Sequence, residues 1–167
     1  MPGDRVDRLT LRDGTVVHVR PLERADREML DEAVRGLSDR TRYLRFAAPK
    51  PRLTARELDF LVDLDHHDRE ALLAVDPRTG RGIAVVRYVR GGTGAVEIAA
   101  TVADAWQGRG LGGALLALLG ERARQEGHRV LRASVLAAND RSIAMLRRNG
   151  FAISGRDGSL LTYEKAL

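Results

Sequence analysis

The sequence predicts an α+β fold. One domain over residues 1–167 carries a mixed, mostly antiparallel central sheet with helices on both faces. Three observations predict it. Apolar strand-like runs at 71–75, 83–89 and 96–102 are joined by the turn segments Asp76-Pro77-Arg78-Thr79-Gly80 and Gly91-Gly92-Thr93-Gly94, an antiparallel meander. The third run enters a glycine-rich turn and then an Ala/Leu-rich segment of strong helix formers, a strand–turn–helix unit. Beyond it, strand-like and helical runs alternate and close on a hairpin around Asp157-Gly158.

The elements follow in order. Leu11 to Arg20 reads as a hairpin with Asp13-Gly14 as its turn and Val16 to Val19 as a strand, broken by Pro21. Met29, Leu30, Ala33, Val34 and Leu37 fall at helical spacing within Asp26–Leu37. Ser38 suits the cap of a further short helix reaching Tyr43 or Leu44. Thr54-Ala55-Arg56-Glu57 is a capping box, with Leu58, Leu61 and Val62 following on one side. A helix is expected over 111–126, stopping near Gly127. A strand follows over 130–136, then a helix over 140–148 ended by Gly150. Phe151–Ser154 and Leu160–Glu164 complete the sheet.

Composition excludes several classes. There is no cysteine, hence no disulfide framework, no Cys-ligated zinc and no thiol nucleophile. That fits a reducing, cytoplasmic setting. The charged N-terminus has no secretory apolar core, and no apolar run is long enough to span a bilayer. Net charge is +5, yet lysine occurs only at Lys50 and Lys165, and arginines alternate with acids. Without a basic block interleaved with aromatics, this is a solvated mixed surface rather than a nucleic-acid footprint. His66-His67 beside Asp65 and Asp68 invites a metal reading. Adjacent side chains diverge and no third histidine lies nearby, so no metal is expected.

The glycine turn Gln107-Gly108-Arg109-Gly110-Leu111-Gly112-Gly113 carries the most chemistry. A glycine turn feeding a helix N-terminus collects unpaired N–H groups and the positive end of the helix dipole, an anion site suited to phosphate. A Walker A loop needs a lysine that this segment lacks. Gly108-x-Gly110-x-x-Gly113 satisfies a dinucleotide pattern. It follows a meander rather than opening a βαβ unit, however, and the next strand supplies no acid for a ribose.

Ala103-Asp104-Ala105-Trp106-Gln107-Gly108-Arg109-Gly110-Leu111-Gly112 resembles the Q/R-x-x-G-x-G/A motif of the GNAT N-acetyltransferase superfamily. Asn139 to Phe151 resembles that superfamily's N-x-x-A-x-x-L-Y-x-x-x-G-F segment. Leu37 to Phe46 with Asp65-His66 resembles the GNAT domains of bacterial protein lysine acetyltransferases, whose acyl-CoA-synthetase-like or cyclic-nucleotide partner domains have no counterpart in this sequence. The resemblance implies a sheet splayed between strands 4 and 5, with acetyl-CoA as co-substrate and no metal. It implies direct transfer to a primary amine, such as a protein lysine on an acyl-CoA synthetase, by a monomer or homodimer. Thr101 and Val102 would edge the pantetheine arm. Amides of Gln107, Gly108, Arg109, Gly110, Leu111, Gly112 and Gly113 would grip the pyrophosphate, with Asn139 and Ser142 on the other lip. Asn139 also reads as a plain helix cap, and Arg109 either as charge near the 3′-phosphate or as a solvated side chain.

Glu97, on an apolar strand just before the turn, is the candidate general base; an edge glutamate facing water is the alternative. The tyrosine that often serves the family as general acid is replaced by Leu146. Tyr163 and Tyr88 remain as substitutes, both also reading as packing residues. Two rival functions stay open: acetylation of a small amine, and a non-catalytic acyl-CoA-binding module.

Overall fold

The computed structural model describes residues 6–167. Its elements are β1 (Asp7–Thr10), β2 (Val16–Pro21), α1 (Arg27–Arg35), α2 (Asp39–Phe46), α3 (Ala55–Val62), β3 (Arg69–Val75), β4 (Gly82–Arg90), β5 (Val96–Val102), α4 (Leu111–Gln125), β6 (Val130–Leu136), α5 (Asp140–Arg148), β7 (Ala152–Asp157) and β8 (Leu160–Ala166). Among these residues the strands form one eight-stranded sheet in the order β1-β2-β3-β4-β5-β6-β8-β7. Neighbours run antiparallel except β5 and β6, which are parallel because α4 carries the chain back across the sheet.

The parallel pairing is short. It joins Val96 to Leu131, Glu97 to Arg132 and Ile98 to Ala133, and then stops. Beyond that point β5 keeps to β4 and β6 keeps to β8, so a gap opens between them. This is the splay that the resemblance implies. The strands concerned are the fifth and sixth here, because β1 adds a strand ahead of the expected count. The expected hairpin is present, but its first arm is Asp7–Thr10 rather than residues near Leu11.

Both faces of the sheet are covered, which is why β3 reads as a continuous apolar run. Leu72 and Ala74 join Val86, Tyr88, Leu115 and Leu119 in the core under α4. Ala71 and Leu73 pack with Leu30, Val34, Leu58 and Val62 beneath α1 and α3.

Local sequence sets the helix ends. Ser38 caps α2 by accepting from the Thr41 amide at 3.1 Å. Further along α2, the Arg42 guanidinium turns back to bond the carbonyls of Arg35 and Leu37, satisfying acceptors at the end of α1. The two helices are thereby tied together. The capping box of α3 forms as expected: Thr54 Oγ1 accepts from the Glu57 amide at 3.2 Å, and the Thr54 amide donates to Glu57 Oε2 at 2.8 Å. Thr54→Ala is expected to cost about 0.5–2 kcal/mol. Urea unfolding monitored by circular dichroism checks it, and an unchanged midpoint would remove the capping box as a source of stability.

Candidate active site

The gap between β5 and β6 widens into a cleft of about 1110 Å³. That exceeds the usual pocket for a drug-sized ligand and suits something of nucleotide size. Its floor is β5 from Glu97 to Val102 and β6 from Ala133 to Val135. Its ends are the glycine turn and the first turn of α5, and α2 forms a further wall.

The turn behaves as the sequence suggests at two positions. Gly108 and Gly110 sit at φ +73° and +83°, and Gly110 is the N-cap of α4. No side chain caps that helix end, so its first amides are free to meet a ligand. A methyl at Gly110 would also fall 3.2 Å from Arg12 Nε. Gly110→Ala is therefore expected to cost about 1–2 kcal/mol of stability through backbone strain. Urea unfolding checks this, and an unchanged midpoint would show that the backbone at 110 tolerates a side chain.

Gly112 and Gly113 have a different reason to be glycine. A methyl at Gly112 would lie 2.8 Å from Met145 Sδ, and one at Gly113 would lie 3.1 Å from Asn149 Nδ2. Their missing side chains let α5 close on α4. Leu111 borders the cleft but is 1% exposed, its side chain part of the core under α4.

Arg109 does not reach into the cleft as a free cation. Its Nε donates to Asp13 Oδ2 at 2.9 Å, its Nη2 donates to Thr15 Oγ1 at 2.6 Å, and it lies 4.3 Å from the centre of the Trp106 ring. The ionised Asp13 carboxylate faces it, its pKa held at about 2, below the usual carboxylate range. The hydrogen bonds from the Thr15 amide and hydroxyl lead that shift, and Arg109 adds to it. The correction is physical: the turn between β1 and β2 supplies a carboxylate that open solvent does not. Arg12, Arg40, Arg45, Arg141 and Arg148 border the cleft instead. None of the five stands out in the sequence as a cleft residue, since nothing local separates them from other surface arginines.

Gln107 acts as a brace. Its Nε2 donates to the Val102 carbonyl at 3.0 Å and approaches Thr41 Oγ1 at 3.3 Å, while its Oε1 accepts from Arg141 Nη1 at 2.8 Å. It thus joins β5, α2 and α5 across the cleft. Asp104 also joins this corner, accepting from the Ser38 hydroxyl at 2.8 Å and the Thr41 hydroxyl at 2.7 Å. Thr101 lines the cleft with its hydroxyl already taken by Arg45 Nε at 3.1 Å. Asn139 caps α5, its Oδ1 accepting from the Ser142 amide at 3.2 Å, and both residues border the cleft. The cap and the lip position therefore hold together.

Glu97 lies on the cleft wall just before β5 and β6 part. Its side chain is 43% exposed, and Oε1 is 3.4 Å from Arg132 Nη1. Arg132 pairs more closely with Glu164, at 2.6 Å, so Glu97 keeps only the looser share of that cation. Leu146 is buried and borders the cleft. Neither substitute tyrosine lines it. Tyr163 is 1% exposed in the core. The Tyr88 hydroxyl donates to the His67 carbonyl at 3.1 Å, and burial followed by neighbouring Glu70 pushes the phenol pKa up.

His66 and His67 diverge, as expected of adjacent residues. His66 Nδ1 meets Glu70 at 2.8 Å and His67 Nδ1 meets Glu126 at 2.7 Å. The nearby acids are not an open patch for a cationic acceptor. Asp63 pairs with Arg24 and Arg69, and Asp68 pairs with Arg90.

A strand, a glycine turn and an uncapped helix N-terminus beside a splayed sheet make a cleft suited to a phosphate-bearing ligand of nucleotide size. The model of the acetyltransferase (GNAT) family matches residues 34–151, and the chain belongs to that family. Acetyl-CoA is the family's donor. Acetyltransferase PA5475 of Pseudomonas aeruginosa is 35% identical over 133 residues, which are 78% of this chain and 72% of that protein. Acetyltransferase Pat of Mycolicibacterium smegmatis is 33% identical over 132 residues, 77% of this chain but 39% of that longer protein. The solved GNAT domain of S. lividans PAT superposes with a TM-score of 0.93 at 35% identity, covering 97% of each chain.

Proposed function

We propose that this acetyltransferase moves an acetyl group from acetyl-CoA to a protein lysine, by direct transfer within a ternary complex and with Glu97 as general base. The observation that carries the reading is the position of Glu97. It is a half-exposed acid lining the cleft where the pairing of β5 with β6 is about to end. A lysine amine with a pKa of about 10.4 arrives protonated and must lose that proton before it can attack. Glu97 accepts the proton. The amine nitrogen then bonds to the thioester carbon, the C–S bond breaks, coenzyme A leaves as a thiolate, and the second proton on the nitrogen passes to solvent as the amide forms. With a thiol pKa of roughly 8.5, as for cysteine, that departure needs no donated proton, which accommodates Leu146.

The free amides at Gly110 and beyond are suited to the pyrophosphate, and Arg12, Arg141 and Arg148 add positive charge around it. The resemblance of Leu37 to Phe46 to protein lysine acetyltransferases supports a protein acceptor.

The test is a bacterial lysate incubated with the protein and isotope-labelled acetyl-CoA, followed by peptide mass spectrometry. Label on the lysines of a small set of proteins is expected. Label confined to small amines would overturn the acceptor assignment.

A further inference from the structure

Two arginines, the half-buried Arg45 and the buried Arg87, have no acid against either among the described residues. Arg87, on β4, is 6% exposed. Its Nη1 donates to the Leu61 carbonyl at 3.3 Å, its guanidinium sits 5.8 Å from the Phe60 ring centre, and its Nη2 is buried without a hydrogen-bond partner. Arg45, on α2, has the Thr101 hydroxyl and the face of Phe46. Burial, and then Arg45 nearby, pulls Arg87 down to about 10; burial pulls Arg45 down as well. A buried cation without a counter-charge is costly, and a second cation beside it adds to that cost.

Both arginines border a small chamber of about 50 Å³ whose other walls are largely apolar, including Leu22, Leu30 and Leu73. Arg45, Phe46, Ala99 and Thr101 border this chamber and the main cleft alike. Arg87 pairs with Ala99, and Val89 pairs with Glu97, which puts the chamber on the same face of the sheet as Glu97.

We propose that Arg45 and Arg87 form a subsite for a carboxylate carried by the acceptor, adjoining the position where its amine meets Glu97. The chamber is too small for more than a terminal group on a short apolar stem. The orphaned Nη2 of Arg87 offers the donor that a carboxylate oxygen would take. The inference rests on reading this face of the cleft as the acceptor side. The carboxylate has two sources: an acidic side chain flanking the target lysine, or the carboxylate of a free amino acid.

The experiment has two readouts on the full chain, using wild type, Arg87→Gln, Arg87→Lys and Arg45→Gln. In the first, thermal unfolding is followed with glutarate and with sodium chloride at matched ionic strength. Glutarate is expected to raise the midpoint of wild type by mass action and to leave Arg87→Gln unmoved. In the second, acetyl transfer is measured to lysine peptides flanked by Glu or by Gln, and to free amino acids or their amides. The carboxylate-bearing form is expected to lose about tenfold or more in kcat/KM in Arg87→Gln, through KM, with KM for acetyl-CoA unchanged. The responding pair identifies the source. Equal glutarate protection of wild type and Arg87→Gln, or no discrimination between carboxylate and amide forms, would overturn the subsite. Should no amine be acetylated at all, the glutarate readout decides the subsite separately from the function. Arg87→Lys, which keeps the charge, should retain part of the protection, and Arg45→Gln supplies the reading if Arg87→Gln does not fold.

Discussion

Glu97→Gln is expected to lower kcat for acetyl transfer by about 10²–10⁴-fold while leaving KM for acetyl-CoA unchanged. The amide keeps the shape of the side chain and can still lie near Arg132, 3.4 Å away in the parent. It cannot take a proton. The defect should shrink as pH rises, because the neutral fraction of an amine with a pKa of about 10.4 grows tenfold per pH unit below that value. Initial rates at saturating acetyl-CoA from neutral to alkaline pH give the profile. A variant as fast as the parent at neutral pH would strip Glu97 of its role. A pH-independent loss would mean that Glu97 positions the acceptor rather than deprotonating it.

Glu70→Gln should be strongly destabilising, by about 3 kcal/mol. Glu70 is fully buried on β3. One oxygen accepts from the Ala71 amide at 2.9 Å and meets His66 at 2.8 Å, and the other accepts from Arg122 Nη2 on α4 at 2.8 Å. Neutralising the carboxylate leaves Arg122 partly buried without its charge partner. Replacing the pair together with apolar residues, Glu70→Leu with Arg122→Met, should cost much less than the single change, because no charge is then stranded. Urea unfolding of the three proteins checks this. Equal costs for single and double variants would show that packing, and not the ion pair, sets the stability here.

Much of this was legible in the sequence because the signals were local. The capping box at Thr54, the cap at Ser38, the helix from Asp140 and the meander each depend on residues a few positions apart. So does the placement of Glu97 ahead of the glycine turn. What escaped depends on long-range geometry. Arg109 reads as a free surface cation until the fold brings Asp13 to it from about a hundred positions away. Gly112 reads as a ligand-facing glycine until α5 places Met145 against it. β1 was missed because Asp7-Arg8-Leu9-Thr10 is an edge strand with little apolar pattern, held by backbone pairing to β2. Glu70 and Arg87 look like ordinary charges in the sequence. Only the layering of helices over the sheet removes them from water.

The tie between α1 and α2 has a consequence for how such a chain can change its choice of acceptor. Arg42 fastens the start of α2 to the end of α1, and Asp104 fastens the same end to the approach of the glycine turn. The far end finishes at Ala47, which turns out of the helix at φ +54°. The approach to the glycine turn and the near half of α2 are therefore tied into one frame. On the proposed function, the segment after Ala47 lies outside that frame, so substitution or insertion there is expected to alter acceptor choice while leaving KM for acetyl-CoA unchanged.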